Sequence, residues 1–230
     1  MMNKTIVIIG ASRGIGKELI GLFSQNKENE LHILTRNISA LDSYKQFPNV
    51  TIHFFDLNTD YVRENAEKIF SKIDKIDILI NNAGKLVNKA FLELTHQDIV
   101  DCYQTNIIGV METMQAAIPR MLNFGGHIVN ISSMGGFQGS VKFSGLSAYS
   151  TSKAALVSLT ELLAEELKET KIKINCLCLG AVQTEMLGEA FPSYQAPLNA
   201  KEMANYIADF SLNAHKFMNG KIIPVSLSTP

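Results

Sequence analysis

The segment TIVIIGASRGIG, residues 5–16, decides the fold of this chain. Its first five residues form a continuous, mostly β-branched apolar run, which is typical of a strand buried on both faces of a parallel sheet. The glycine-rich turn 10–16 follows, and residues 17–25 then have a helical pattern. The glycines let the backbone turn tightly and approach a ligand closely, while the helix N-terminus offers free N–H groups to a pyrophosphate. The spacing is G-x-x-x-G-x-G rather than G-x-G-x-x-G, so an ordinary tight turn is the alternative.

The same alternation of strand and helix continues along the 230 residues. Further strands are predicted at 31–35, 50–55, 76–80, 127–131, 173–179 and 221–225, with helices at 58–71, 95–122, 148–170 and 200–212. The chain contains neither internal repeats nor linker-like segments. This pattern predicts an α/β fold, a doubly wound, three-layer Rossmann-type parallel sheet in a single domain spanning residues 1–230.

The overall composition narrows the class of protein. A net charge of −1 gives no indication of a nucleic-acid or anionic-membrane partner. The apolar run near the N-terminus is far too short to span a membrane and lacks a signal-peptide cleavage pattern. The three cysteines, Cys102, Cys176 and Cys178, fit a reducing compartment and have no metal-ligand spacing. We therefore expect a soluble cytoplasmic protein without a bound metal.

Two arginines bear on the choice of dinucleotide. At the end of the second strand, an acidic residue would bind the ribose 2′-OH of NAD, whereas an arginine accommodates the 2′-phosphate of NADP. Here the strand ends in Thr35 and Arg36, and Arg13 lies within the glycine turn. Guanidinium groups suit phosphate because they donate bidentately. The pattern favours NADP(H), and the alternative for Arg36 is a solvated surface residue.

Polar and small residues follow several other strands. Asp56 follows the third strand, where it either accepts from an adenine amino group or caps the next helix. Asn81, Asn82, Ala83 and Gly84 follow the fourth strand, either as a turn or as a small surface over which a cofactor passes. Because parallel strands all end at one edge of the sheet, these groups are expected to converge there.

The helical segment 95–122 contains Asn106, which is costly in a helix unless its amide has partners. Gly109, three residues further on, weakens the helix locally. Together they indicate a kink at a site, with a simple polar position as the alternative.

Tyr149 and Lys153 stand four residues apart in a helical segment, and therefore share one face. A positive charge ~4 Å from the phenol, at an effective dielectric of ~20, favours the phenolate by ~4 kcal/mol, or ~3 pKa units. This would bring the pKa of Tyr149 near neutrality, where a general acid/base works best. Taken alone, the pair is a weak signal, and two facing surface residues are the alternative.

Taken together, these motifs resemble those of the short-chain dehydrogenase/reductase family over nearly the whole chain. The elements are Gly10-Ala-Ser-Arg-Gly-Ile-Gly16, Asn81-Asn-Ala-Gly84, Asn106, Ser132-Ser133, Tyr149-Ser-Thr-Ser-Lys153 and residues 180–184. Ile9, where many members have threonine, Leu179, where proline is common, and the tail 224–230, without Asp-Gly-Gly, depart from the pattern.

The resemblance implies four catalytic residues. Tyr149 would be the acid/base, Lys153 would hold the nicotinamide ribose and lower the phenol pKa, Ser133 would bind the substrate oxygen, and Asn106 would hold a water in a proton relay. The expected cofactor-binding residues are Gly10, Ser12, Arg13, Gly14, Ile15, Gly16, Arg36, Asp56, Asn81, Ala83, Gly84, Tyr149, Lys153, Val182 and Thr184.

The expected function is NADP(H)-dependent hydride transfer between a small-molecule carbonyl and its alcohol. The alternatives are a non-catalytic nucleotide-binding sensor or scaffold, and an epimerase or lyase of the same fold. Residues 185–200 are expected to form a flap over the substrate, with a plain connector as the alternative. The resemblance implies a homodimer or homotetramer built from helices 97–122 and 148–169, and packing within the monomer is the alternative.

Overall fold

The computed structural model describes residues 3–229, and within that range seven parallel strands form one sheet. The strands are β1 (Thr5–Ile9), β2 (Glu30–Thr35), β3 (Val50–Phe54), β4 (Ile78–Asn81), β5 (Gly126–Ser133), β6 (Ile172–Leu179) and β7 (Ile222–Val225). Their order across the sheet is β3-β2-β1-β4-β5-β6-β7. The direction of winding therefore reverses between β1 and β4, which is where such sheets bind ligands.

Helices cover both faces of this sheet. They are α1 (Gly14–Phe23), α2 (Val62–Phe70), α3 (His96–Tyr103), α4 (Gly109–Ala117), α5 (Ser147–Glu166), α6 (Glu185–Ala190) and α7 (Ala200–Asn213). Short 3-10 turns lie at Ser39–Tyr44, Phe91–Glu93, Ile118–Arg120, Met134–Gly136 and Ala214–Lys216. None of the helices in the described part of the chain is both long and apolar enough to cross a membrane.

Alternate residues of β1 show how the layers are built. Ile6 and Ile8 point into a core shared with α1 and α7, whereas Val7 and Ile9 point into a core shared with α2, α4 and α5. All four are almost completely buried. A strand buried on both faces reads as an uninterrupted apolar run, which explains the pattern in residues 5–9. The predicted doubly wound fold and its seven strands are confirmed.

The predicted helical segment at 95–122 is confirmed between residues 96 and 120, with the expected kink near Asn106. The chain forms α3, then a π-helical turn over Gln104–Ile108, then α4. Gly109 lies so close to another loop that a Cβ there would be 2.8 Å from the carbonyl oxygen of Leu57. At this interruption of the α-helix, the chain therefore packs closely against the loop after β3, which contains Leu57.

Candidate active site

A cleft of about 750 Å³ opens at the carboxyl edge of the sheet. Loops that follow β1 to β6 all contribute to its wall. Of the residues predicted for the site, those that line the cleft are Gly10, Ser12, Arg13, Gly14, Ile15, Arg36, Asp56, Ala83, Gly84, Ser133, Tyr149, Lys153, Val182 and Thr184. Gly16, Asn81 and Asn106 are not part of this lining.

The glycine turn after β1 fits an anionic ligand. Gly10 and Gly14 have backbone φ angles of 82° and 54°, which residues with a Cβ rarely adopt. Arg13 stands at the N-cap of α1, and its side chain makes no capping hydrogen bond there. Gly14 and Ile15, the first residues of α1, line the cleft, so the helix N-terminus lies at its wall. A helix N-terminus offers free N–H groups and the positive end of its dipole to an anion such as a pyrophosphate.

Gly16 acts through packing instead. A Cβ on Gly16 would lie 2.3 Å from the carbonyl oxygen of Gly10, so only glycine lets α1 sit this close to the turn. Gly10 is equally confined, because a Cβ there would lie 2.4 Å from the Cα of Ala83. Because these two residues have no side chain, the glycine turn can pack closely against both α1 and the loop after β4.

Asn81 and its neighbour Asn82 have separate surroundings. Asn81 is the last residue of β4, and its Nδ2 donates to Oδ1 of the buried Asn130 at 2.7 Å. Asn82 lines the cleft, and its Nδ2 donates to the carbonyl oxygen of Gly10. The sequence prediction ended the strand one residue early, and a shift of one residue exchanges the two faces of a strand. Asn82 is therefore a cleft residue that the sequence reasoning missed.

Both candidate phosphate-binding arginines already contact carboxylates. The Nε of Arg36 lies 3.8 Å from Oδ1 of Asp56. The guanidinium of Arg13 forms a two-point contact with Glu189 of α6. Asp56 also accepts from the backbone N–H of Asn58 at 2.9 Å. Because α2 begins only at Val62, Asp56 does not cap that helix, and the capping alternative is wrong.

The two serines at the end of β5 differ in their partners. Ser132 donates to the backbone carbonyl of Lys153 at 2.9 Å, whereas the Oγ of Ser133 accepts from the N–H of Gly135 at 3.2 Å. A hydrogen bond with Ser133 also lowers the pKa of Tyr149. Of the two hydroxyls, Ser133 is therefore the one that acts on the pKa of Tyr149.

Burial dominates the titration of Tyr149. It raises the pKa of the phenol to about 12, against the smaller opposing effect of the Ser133 hydrogen bond. The expectation that the pKa of Tyr149 lies near neutrality is therefore wrong. The reason is desolvation, which disfavours the phenolate more than its neighbours stabilise it.

Lys153 lies on the same helix and is only 3% exposed. Its Nζ donates to the carbonyl oxygen of Ile131 at 2.8 Å, and burial lowers the pKa of the amine to about 8. A methyl group on Gly84 would lie 3.5 Å from this Nζ and 3.6 Å from Oδ1 of Asn106. Lys153 and Asn106 therefore both lie next to Gly84, which lines the cleft.

Asn106 is completely buried within the π-helical turn. Its Oδ1 accepts from the N–H of Lys85 at 2.8 Å, and its Nδ2 donates to the Lys85 carbonyl and to Ser152 Oγ, both at 2.9 Å. The amide thus joins the loop after β4 to α5. Single π turns are frequent at functional sites, and this one places Asn106 beside Lys153.

The lining of the cleft also includes seven apolar side chains that sequence reasoning largely missed. The side chains are Leu86, Met134, Phe143, Leu146, Met186, Leu187 and Phe191. They come from the loops after β4 and β5 and from the predicted flap, of which residues 185–190 form α6. Apolar residues in separate loops give no periodic signal in a sequence.

Comparison with known proteins identifies the family to which this chain belongs. The short chain dehydrogenase family profile matches residues 4–195. Carbonyl reductase family member 4 of Danio rerio is 34% identical over 190 residues, which are 80% of this chain and 78% of the relative. The chain belongs to the short-chain dehydrogenase/reductase family of oxidoreductases, as its motifs indicate.

Solved structures give the same fold. One described as ElxO with NADP bound superposes with a TM-score of 0.83 at 27% identity, covering 98% of each chain. Another, 4-hydroxyisoleucine dehydrogenase complexed with NADH, has a TM-score of 0.86 at 24% identity and also covers 98% of each chain. Similar structures therefore include both NADP and NADH complexes.

Proposed function

We propose that this protein is an NADP(H)-dependent oxidoreductase that interconverts a ketone or aldehyde and the corresponding alcohol. One observation carries the proposal: Ser133, Tyr149 and Lys153 line the same cleft as the glycine turn at the N-terminus of α1. A nicotinamide cofactor held at that turn fits a cleft whose other part contains an acid and a second hydroxyl. The name of the relative from Danio rerio supports carbonyl chemistry.

In the proposed mechanism, Ser133 and Tyr149 hydrogen-bond the carbonyl oxygen and stabilise the negative charge that develops on it. When bound, the nicotinamide cofactor would supply the hydride to the carbonyl carbon. Tyr149 then gives its phenolic proton to the oxygen. With its pKa raised to about 12, the phenol of Tyr149 is protonated at neutral pH and therefore carries the proton that this step needs.

Lys153 and Asn106 have supporting roles in this proposal. Lys153 holds the nicotinamide ribose, for which its buried Nζ beside Gly84 is well placed. Asn106 holds the π-helical turn next to Lys153 and contributes to the proton relay. Val182 and Thr184, which line the cleft, contact the nicotinamide end.

The preference for NADP(H) rests on Arg13 and Arg36, both at the cleft. Each can offer a guanidinium to a 2′-phosphate once its carboxylate partner is displaced. Asp56 is proposed to accept from the adenine amino group. The NADP-bound neighbour supports this choice, and the NADH-bound neighbour is the reason to test it.

The substrate is proposed to be a small, partly apolar molecule, because apolar side chains dominate the wall beside the flap. We propose that residues 1–230 carry cofactor and substrate sites in one domain, with 185–200 as the flap. The three cysteines are free and buried, which suits a cytoplasmic location.

We also propose a homodimer or homotetramer. Met111 on α4 is 41% exposed and Leu162 on α5 is 64% exposed, so both are available to a second subunit. Met114 is buried, and Leu159 and Leu163 pack against the core of the monomer. Light scattering measures the state directly.

A panel of ketones and aldehydes, followed by the loss of NADPH absorbance, tests the activity. Turnover of one or more substrates, with the alcohol as product, is expected. A sensor or scaffold would bind NADPH without turnover, and an epimerase or lyase would form a product without net oxidation of the cofactor. Product analysis separates these outcomes.

A further inference from the structure

The short helix α6 bridges the cleft that we assign to the cofactor and substrate. At its start, Thr184 lies beside the glycine turn, with its Cγ2 3.3 Å from where a Cβ of Gly14 would be. At its end, the carbonyl oxygen of Ala190 accepts from Nδ2 of Asn88 at 2.8 Å, on the loop after β4. Met186 and Leu187 line the cleft between these two anchors.

An ion pair fastens α6 to the glycine turn. The guanidinium of Arg13 contacts both carboxylate oxygens of Glu189, and its Nη2 lies 3.0 Å from Oε2. The side chains are 47% and 63% exposed, so the pair is open to solvent and to exchange. The hydrogen bond from Arg13 lowers the pKa of Glu189, which keeps the carboxylate ionised.

A second carboxylate of α6 faces the same turn. Oε2 of Glu185 lies 3.5 Å from the position of a Cβ on Gly14, and its charge also raises the pKa of Arg13. Glu185 and Glu189 are four residues apart and therefore share one face of the helix. In this conformation, α6 presents two negative charges to Arg13 within the glycine turn.

We propose that Glu189 is a specificity-determining residue, which occupies the Arg13 guanidinium in place of the cofactor 2′-phosphate and is displaced when NADP(H) binds. The inference rests on the proposed function, since it assumes a dinucleotide at the glycine turn. A guanidinium fork that holds one carboxylate in two-point contact offers the same donors to a phosphate. Binding of a 2′-phosphate then breaks the link between α6 and the turn, whereas binding of NAD(H) leaves it intact.

This arrangement makes Glu189 an intramolecular competitor for one class of ligand only. Removing its charge is expected to strengthen the binding of 2′-phosphorylated ligands by two- to fivefold, where the upper figure equals about 1 kcal/mol for an exposed ion pair. Ligands without a 2′-phosphate gain nothing from a free Arg13. The ratio of the two affinities is therefore the quantity to measure.

The experiment compares the wild-type protein with Glu189→Gln by isothermal titration at low ionic strength. The probes are adenosine 2′,5′-bisphosphate against 5′-AMP, and NADPH against NADH. Glu161→Gln, which removes an exposed charge on α5, is the matched control. We expect Glu189→Gln to bind the 2′-phosphorylated member of each pair more tightly, with the other member unchanged.

A double-mutant cycle with Arg13→Gln shows that the effect passes through the arginine. In the Arg13→Gln background, Glu189→Gln is expected to change neither affinity, because no guanidinium remains for which to compete. Circular dichroism checks that each variant is folded.

Three results would overturn the proposal: unchanged affinities in Glu189→Gln, weaker binding of the 2′-phosphorylated ligands, or equal tightening of both members of a pair. If the wild-type protein binds none of the four ligands, this result would instead contradict the proposed function and, with it, the present inference. Wild-type protein that binds NADPH, with no effect of Glu189→Gln, would remove only the role of Glu189.

Discussion

The ammonium group of Lys153 donates a hydrogen bond to the carbonyl oxygen of Ile131, with an Nζ–O distance of 2.8 Å, and Lys153 is only 3% exposed. The hydrogen-bond partner of the amine is thus a neutral backbone carbonyl near the end of strand β5. Burial without an anionic partner disfavours the charged form and lowers the pKa of Lys153 to about 8. A positive charge in this position reduces the stability of the cofactor-free protein.

The stability of the protein is therefore expected to depend on pH through Lys153. The folded-state pKa is about 8, below the unfolded value of about 10.5, so the unfolded chain binds more protons between these values. The contribution of Lys153 to the free energy of unfolding is constant below about pH 8 and rises between about pH 8 and 10.5. From pH 7 to 10 the gain is about 2–3 kcal/mol.

Urea unfolding of the wild type and of Lys153→Met, at pH 7 and pH 10, measures this gain. The variant is the reference because all other titrating groups are common to both proteins. The difference in stability, wild type minus variant, should become more favourable to the wild type at pH 10. A difference that stays the same at both pH values would mean that Lys153 has an ordinary pKa in the folded protein.

Tyr149→Phe is expected to abolish nearly all turnover while the fold and NADPH binding remain. The substitution removes only the phenolic hydroxyl, and with it the proton donor and one of the two groups that stabilise the substrate oxygen. Tyr206→Phe, which removes a hydroxyl from a 41% exposed side chain on α7, is the control and should keep full activity. Near-normal turnover in Tyr149→Phe would contradict the assigned role.

The raised pKa of Tyr149 is open to direct measurement in the cofactor-free protein. Absorbance at the tyrosinate band, taken as wild type minus Tyr149→Phe, isolates this one of the six tyrosines. Because burial raises the pKa to about 12, the difference signal should be close to zero from pH 7 to about pH 10. One full tyrosinate in the difference spectrum by pH 9 would mean that Lys153 lowers the pKa as the sequence suggested.

The fold could be predicted from sequence because its signals are local. The apolar run of residues 5–9 predicts a buried strand, and the glycines that follow it predict a tight turn, all within twelve residues. The sheet edge then places Ser133 and Tyr149 in one cleft. The π-helical break at 104–108 could not be predicted in detail, since the partner of Asn106 is the backbone of Lys85 in a different element.

The ion pairs of the site could not be predicted from the sequence either. Arg13 and Glu189 are 176 positions apart, and nothing in the intervening sequence links a glycine turn to a particular turn of α6. The raised pKa of Tyr149 also follows from three-dimensional burial, which an i,i+4 spacing does not report. Sequence therefore identified the chemical groups, whereas their protonation and partners depend on packing.

Arg36→Asp is expected to reverse the cofactor preference. The wild type should bind NADPH at least tenfold more tightly than NADH, a difference of about 1.4 kcal/mol. In the variant, an acid at the end of β2 would repel a 2′-phosphate and accept from a free ribose hydroxyl. It would also stand next to Asp56, the present partner of Arg36, and so add to the negative charge.

Fluorescence titration of both cofactors measures the two affinities for each protein. Arg63→Asp, which breaks an exposed ion pair with Glu67 on α2, is a control for loss of a surface arginine. An unchanged NADPH preference in Arg36→Asp would assign the discrimination to Arg13 alone. Equal affinities of the wild type for the two cofactors would remove the case for both arginines.

Gly16→Ala and Gly188→Ala form a matched pair that tests the role of packing at the glycine turn. A Cβ on Gly16 would lie 2.3 Å from the carbonyl oxygen of Gly10 and 2.7 Å from the Cα of Ala11, so the backbone of the turn must move. Overpacking of this kind costs about 1–3 kcal/mol and displaces the N-terminus of α1 from the cleft. At Gly188, on α6, no heavy atom of the described residues outside the adjacent residues and the backbone of the same helix lies within 4 Å of the added Cβ. Urea unfolding should therefore show a loss of stability for Gly16→Ala and none for Gly188→Ala, and only Gly16→Ala should weaken NADPH binding in a titration. Tight NADPH binding by a stable Gly16→Ala would mean that the turn does not need the close contact between α1 and Gly10.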